Sequence, residues 1–119
     1  LIPLYQVVLL ILNNDQLNLL KKDSIDIAFN TMSFQEMPLQ QIRKYFDLLR
    51  NVMVNENIFY CLNAVEKKMQ VNEQSQFIRF SEYPWHNRDK VFEFNLSEVH
   101  KNKTTKPFFR KIVRLNKDG

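Results

Sequence analysis

The sequence predicts an α/β fold whose best-defined unit is a βαβ crossover over residues 24–65. Two short and almost wholly apolar runs, SIDIAFN (24–30) and IFYCLNAV (58–65), flank one amphipathic helical stretch, and strands covered on both faces read as such continuous runs. Two parallel strands joined by a helix form a right-handed crossover. Beyond Val65 the texture changes: FIRFSEYPW (77–85), KVFEFNL (90–96) and KPFFRKIVRL (106–115) alternate with polar turns, the pattern of antiparallel strands.

The opening run LIPLYQVVLLIL is too dense in apolar residues for periodicity to separate buried strand from buried helix. Leu1 to Tyr5 suits the end of a strand, and Gln6 to Leu20 a short helix broken at Asn13-Asn14. A spanning helix needs roughly 20 apolar residues. This run stops at Asn13, with no basic residue before it, so the expectation is a buried element of a soluble, cytoplasmic protein without a membrane span.

The strand at 24–30 follows the charged pair Lys21-Lys22. After Pro38 a helix is expected, because Ile42, Phe46, Leu49 and Met53 recur at i, i+4, i+7 and i+11, widened by Tyr45 and Val52. Gln41, Arg43, Lys44, Asp47 and Arg50 take the opposite side. Pro38 suits the first helical turn, where its missing N–H costs nothing. VNEN (54–57) reads as the exit turn, and EKKMQVNEQSQ (66–76) as a polar loop or short helix. Phe92 and Phe94 alternate with Glu93 and Asn95, as in a half-exposed strand.

Of the 119 residues, 45% are hydrophobic and 13% aromatic, which excludes a disordered chain and fits a single domain, 1–119, or part of a larger one. A chain opening on Leu1 reads as a processed product or a piece of something longer. The net charge of +4 admits a polyanionic partner, yet the Lys and Arg are scattered, as on a solvated basic surface. Cys61 is the only cysteine, so no internal disulfide or Cys-based zinc site is expected, and no metal site is assigned. Gly119 is the only glycine. That excludes a P-loop, a GxGxxG turn or any other glycine-rich phosphate cradle within these residues.

The most unusual stretch is NTMSFQEM (30–37), a polar cluster wedged between an apolar strand and the helix. In open α/β sheets ligands sit outside the carboxyl ends of the strands. Asn30, Ser33, Gln35 and Glu36 are therefore placed to meet one, with Asn63 at the end of the neighbouring strand. The plainer alternatives stay open: Glu36 capping the helix, worth about 0.3–1 kcal/mol, and Ser33 and Gln35 satisfying turn backbone.

The segments IDIAFNTMSFQEM, YFDLLRNVMVNENIFYCLNAV and IRFSEYPW together resemble sugar O-methyltransferases of bacterial surface-polysaccharide gene clusters. These are class I S-adenosylmethionine-dependent enzymes. The shared positions are Asp26, Asn30, Ser33, Phe34, Gln35, Glu36 and Met37, then Tyr60 and Asn63, then Tyr83 and Pro84. The resemblance spans residues 20–115 and implies a partial Rossmann-like methyltransferase sheet, strands four to seven, closed by an antiparallel strand pair. It implies methyl transfer from S-adenosylmethionine to a hydroxyl of a sugar or polysaccharide precursor. Asn30 and Ser33 would then touch the cofactor, and Gln35, Asn63, Tyr83 and Trp85 the sugar. Glu36 or His86 would accept the proton, as an in-line displacement at a hydroxyl requires. His86 has the better ordinary pKa for that task. The plainer reading of Tyr83 and Trp85 is packing, and of His86 a loop histidine, and each outweighs the site role. The family's glycine-rich cofactor loop has no counterpart among these residues, so the chain by itself is expected to be inactive.

Two other functions fit the same residues. One is a non-enzymatic α/β interaction module that pairs with itself or another chain through an exposed sheet edge. The other is a basic nucleic-acid-binding domain, for which no RNA-binding signature or basic stripe is present.

Overall fold

Residues 14–71, 73–101 and 104–118 are described by the structure, a computed structural model. The strand expected at Leu1–Tyr5, and most of the following helix, lie outside these residues. The described remainder of that helix is a 3-10 turn at Asn14–Leu19.

The crossover forms as the apolar pattern requires. Strand β1 (Ile25–Thr31) leads through a 3-10 turn at Phe34–Glu36 into helix α1 (Leu39–Val52) and then strand β2 (Met53–Ala64), parallel to β1. Pro38 is the residue just before the helix, with extended backbone, and its carbonyl accepts from the N–H groups of Gln41 and Ile42. Ile42, Phe46 and Val52 are buried, which is the stripe expected from their spacing.

The expected exit turn at 54–57 is instead part of β2. Pairing jumps from Ile25 opposite Met53 to Ile27 opposite Ile58, so β2 carries extra residues there as a bulge. Asn57 closes it. Its Nδ2 donates to the Val54 carbonyl at 2.8 Å and to the Leu115 carbonyl at 3.0 Å, while its Oδ1 accepts from Leu115 N at 2.8 Å. A polar VNEN stays in the strand because this one amide satisfies the backbone that the bulge would otherwise strand.

The stretch 66–76 is neither loop nor helix. Strands β3 (Glu66–Val71) and β4 (Gln74–Arg79) form an antiparallel two-stranded ribbon. Its polar composition hides the strand signal, because among the described side chains of the ribbon only Met69 and Ile78 reach the core. The run 77–85 accordingly divides into the end of β4, a 3-10 turn at Phe80–Glu82, and a loop.

The remaining strands, β5 (Lys90–Lys101) and β6 (Thr104–Arg114), complete a four-stranded mixed sheet in the order β1-β2-β6-β5. Strand β6 runs antiparallel to both β2 and β5, so β1, β2 and β5 all point one way. The fold is α/β, as expected.

Between the sheet and α1 lies an aromatic core. Phe34 meets Tyr45, Phe46, Phe59 and Tyr83 at centroid distances of 5.6–6.3 Å, and Phe46 meets Trp85 edge-on at 5.0 Å. Ring pairs of this kind add about 0.5–1.5 kcal/mol each beyond burial. Phe34 therefore pins the polar turn to the core through its own ring. On β1, Ala28 and Asn30 alternate with Ile27 and Phe29, which are 54% and 70% exposed.

Candidate functional site

The carboxyl end of the parallel pair is organised by amides. Asn30 and Asn63 are the next-to-last residues of β1 and β2; Asn63 Nδ2 donates to Asn30 Oδ1 at 2.9 Å. Asn30 Oδ1 also accepts from Phe34 N at 3.2 Å, and Asn30 Nδ2 donates to Ser33 Oγ at 2.7 Å. Asn63 Oδ1 accepts from Gln35 N at 3.1 Å, and Gln35 Oε1 accepts from Ala64 N at 2.7 Å. Asn63 is fully buried and Gln35 is 9% exposed.

Four expected site residues, Asn30, Ser33, Gln35 and Asn63, are thus brought together. Their polar atoms hold one another and the turn backbone, so their direct task in this structure is to shape the edge. Buried polar groups need such partners, because each one left unmade costs about 1–3 kcal/mol. Met32, which opens the turn, has a left-handed backbone with φ of 56°. For a residue other than glycine that geometry costs roughly 1–2 kcal/mol, and strain of this kind gathers at functional edges.

Glu36 ends the 3-10 turn. Its side chain is 55% exposed and forms an ion pair with Lys67 on β3.

His86 sits in the loop that precedes β5. Its loop is tied down by Asp89, whose carboxylate accepts from His86 N at 2.8 Å and from Asn116 N at 2.7 Å. Arg50, in the last turn of α1, holds the same carboxylate through two bonds of 2.7 and 2.9 Å and donates to the Pro84 and Asn116 carbonyls. Asn116 follows β6, whose last residue paired with β2, Val113, lies opposite Phe59 in the middle of that strand. The His86 loop is thus tied to the last turn of α1 and to the residues after β6, whereas Glu36 is paired with Lys67 on β3. His86 Nδ1 accepts from Arg88 N at 3.1 Å.

Tyr83 and Trp85 are also placed differently from the expectation. Tyr83 is 3% exposed, packed among Phe34, Phe46 and Phe80, so no face is open to a sugar. Burial raises its phenol pKa, and its hydroxyl is among the buried polar atoms without a hydrogen-bond partner. Trp85 is half-buried; its Nε1 donates to the Phe80 carbonyl at 2.9 Å, and Lys111 Nζ sits 4.1 Å from its ring centroid. Both rings belong to the core because the aromatic spacing of FSEYPW wraps the turn after β4 around Phe80. Cys61 is fully buried, and burial pushes its thiol up to about 12, so it is no nucleophile.

The sequence also concealed a cavity. Beside the polar turn lies a space of about 340 Å³ lined by Gln35, Ala64, Lys67, Lys68, Lys106 and Phe108, among others. Lys67-Lys68 and Lys106 are far apart in the chain and meet because β6 pairs along β2. A second space of about 350 Å³ lies by Arg50 and Lys117 at the opposite end. Among the described residues no cluster of His, Cys, Asp and Glu could hold a metal ion, and no helix is long and apolar enough to cross a membrane.

No protein-family model matches the chain, and no curated protein matches it.

Proposed function

We propose that the chain is the acceptor-side part of an S-adenosylmethionine-dependent sugar O-methyltransferase. The observation that carries this reading is the strained, amide-locked turn at the carboxyl end of two parallel strands, because that is where open α/β sheets meet their ligands. The SFQEM segment on which the family resemblance rests forms this turn. A sheet passing from a parallel pair to the antiparallel strands β6 and β5 is compatible with strands four to seven of such an enzyme.

Methyl transfer to a hydroxyl needs the donor carbon, the attacking oxygen and a proton acceptor in line. Glu36 is the acceptor in this reading, with Lys67 orienting its carboxylate. The amide lattice supports the edge from beneath. S-adenosylmethionine supplies the methyl group, and Asn30 and Ser33 act on its side of the turn by holding the backbone in place.

In a methyl-transfer assay on the complete gene product, Glu36→Gln is expected to lower kcat by about a hundredfold, the lower bound for a general base, with KM little changed. His86→Ala should leave both parameters untouched. Equal losses from the two variants, or activity unaffected by Glu36→Gln, would remove the proposed base. On this chain alone, calorimetry should find no tight binding of S-adenosylmethionine.

A second reading draws on the exposed Ile27 and Phe29. Large apolar side chains on a strand edge mark a pairing surface, and the chain would then be an interaction module that associates with itself. Sedimentation across a concentration series tests it: self-association abolished by Phe29→Lys supports the module, and a monomer at every concentration rules it out.

A further inference from the structure

We infer that the cavity beside the polar turn holds an anionic phosphate or pyrophosphate group carried by the acceptor. That group narrows the acceptor to a phosphorylated sugar, an identification that rests on the methyltransferase reading.

Three cations line the cavity, Lys67, Lys68 and Lys106, against a single carboxylate, Glu66. Glu66 is taken by Arg79, at 3.3 Å. Lys67 is paired with Glu36, but Lys68 and Lys106 have no carboxylate within ion-pair distance among the described residues. The basic residues are scattered along the sequence, and here the β2–β6 pairing gathers three with one carboxylate, whereas the cavity by Lys22, Arg50 and Lys117 also holds Asp47 and Asp118. Like charges brought together at an edge repel, and a dianion between them offsets that repulsion. Lysine binds phosphate as a point charge and needs no preset fork.

Size and position agree with this occupant. A space of about 340 Å³ is at the small end of ligand sites, too small for a long oligosaccharide. It opens at Gln35 and Ala64, outside the carboxyl ends of the parallel strands, and Phe108 and Pro107 give it an apolar wall. Lys67 belongs both to the cavity and to the Glu36 ion pair. A phosphate bound there lies one side chain from the proposed base, which leaves the sugar hydroxyls within its reach.

Titration of the ¹⁵N-labelled chain with inorganic pyrophosphate tests the site without any methyl transfer. Amide shifts should concentrate at Gln35, Ala64, Lys67, Lys68 and Lys106, and the double variant Lys68→Glu/Lys106→Glu should weaken binding by about tenfold or more. Both lysines are exposed, so thermal melting of the variant should match the parent. Glucose, a neutral sugar, should not compete. Shifts elsewhere, or an affinity indifferent to the two lysines, would overturn the proposal. So would a single-stranded oligonucleotide that binds the same lysines more tightly than pyrophosphate. If pyrophosphate binds as expected but the complete gene product transfers no methyl group, the anion site stands and the methyltransferase reading falls. If methyl transfer proceeds equally on neutral and phosphorylated sugars and ignores the lysine variant, only the anion site falls.

Discussion

Replacing Asp89 with Ala is expected to destabilise the fold by about 3–5 kcal/mol, the cost of breaking a buried ion pair from one side. The Arg50 and Asp89 side chains are 11% and 2% exposed, and the guanidinium is held by both carboxylate oxygens. Without the carboxylate, Arg50 keeps its charge in a place water scarcely reaches. The Pro84 and Asn116 carbonyls remain as acceptors but carry no full charge to balance it. Replacing both partners with apolar residues, as in Arg50→Met/Asp89→Leu, should recover part of the loss, because the desolvation cost then disappears as well.

The same pair sets an acid limit. Burial works against the charged Asp89, but the Arg50 guanidinium and the Asn116 and His86 amides outweigh it and hold the carboxyl below its ordinary value. A carboxyl with a depressed folded pKa contributes stability that is complete above the unfolded value, near pH 4, and is lost as pH falls through the folded value. Melting temperature should therefore drop more steeply below about pH 4 in the parent than in Asp89→Asn. Parallel pH profiles for the two proteins would show that Asp89 is not the group responsible.

Asn63→Leu is expected to cost roughly 3 kcal/mol, or a fall of about 10 °C in melting temperature for a domain of this size. Leucine fills the volume but removes the acceptor for Gln35 N and the donor to Asn30 Oδ1. Unlike the Asp89 loss, this one should be local in a second readout: the Gln35 amide, buried and bonded in the parent, should lose hydrogen-exchange protection well before the core amides do. Unchanged exchange at Gln35 would mean that the turn is held by Phe34 alone and that the amide lattice is dispensable.

These two sites show where the sequence was legible. The helix and the parallel strands followed from local pattern: the Ile42–Phe46–Leu49 stripe demands one buried face, and the runs 24–30 and 58–65 demand cover on both faces. The ribbon at 66–79 did not, because among its described side chains only Ile78 and, in part, Met69 are buried, too few apolar positions for alternation to register. The bulge at 54–57 read as a turn because its polarity was visible and its remedy, Asn57 bonding to Leu115 fifty-eight positions later, was not.

At the candidate site the cluster of Asn, Ser, Gln and Glu marked the right edge of the sheet. Composition could not say whether those groups face a ligand or each other. That was decided by register, which sets Asn30 beside Cys61 and brings Asn63 within 2.9 Å of its amide. The placement of β6 between β2 and β5 then gathered Lys67, Lys68 and Lys106 beside that edge.

Local sequence alone determined what each segment must bury: an amphipathic helix, two parallel strands, and a polar knot between the first strand and the helix. The tertiary structure decided which polar groups meet. Burial is a property that a residue and its near neighbours carry with them, whereas a hydrogen bond or a charge cluster exists only once strand pairing has brought distant residues together.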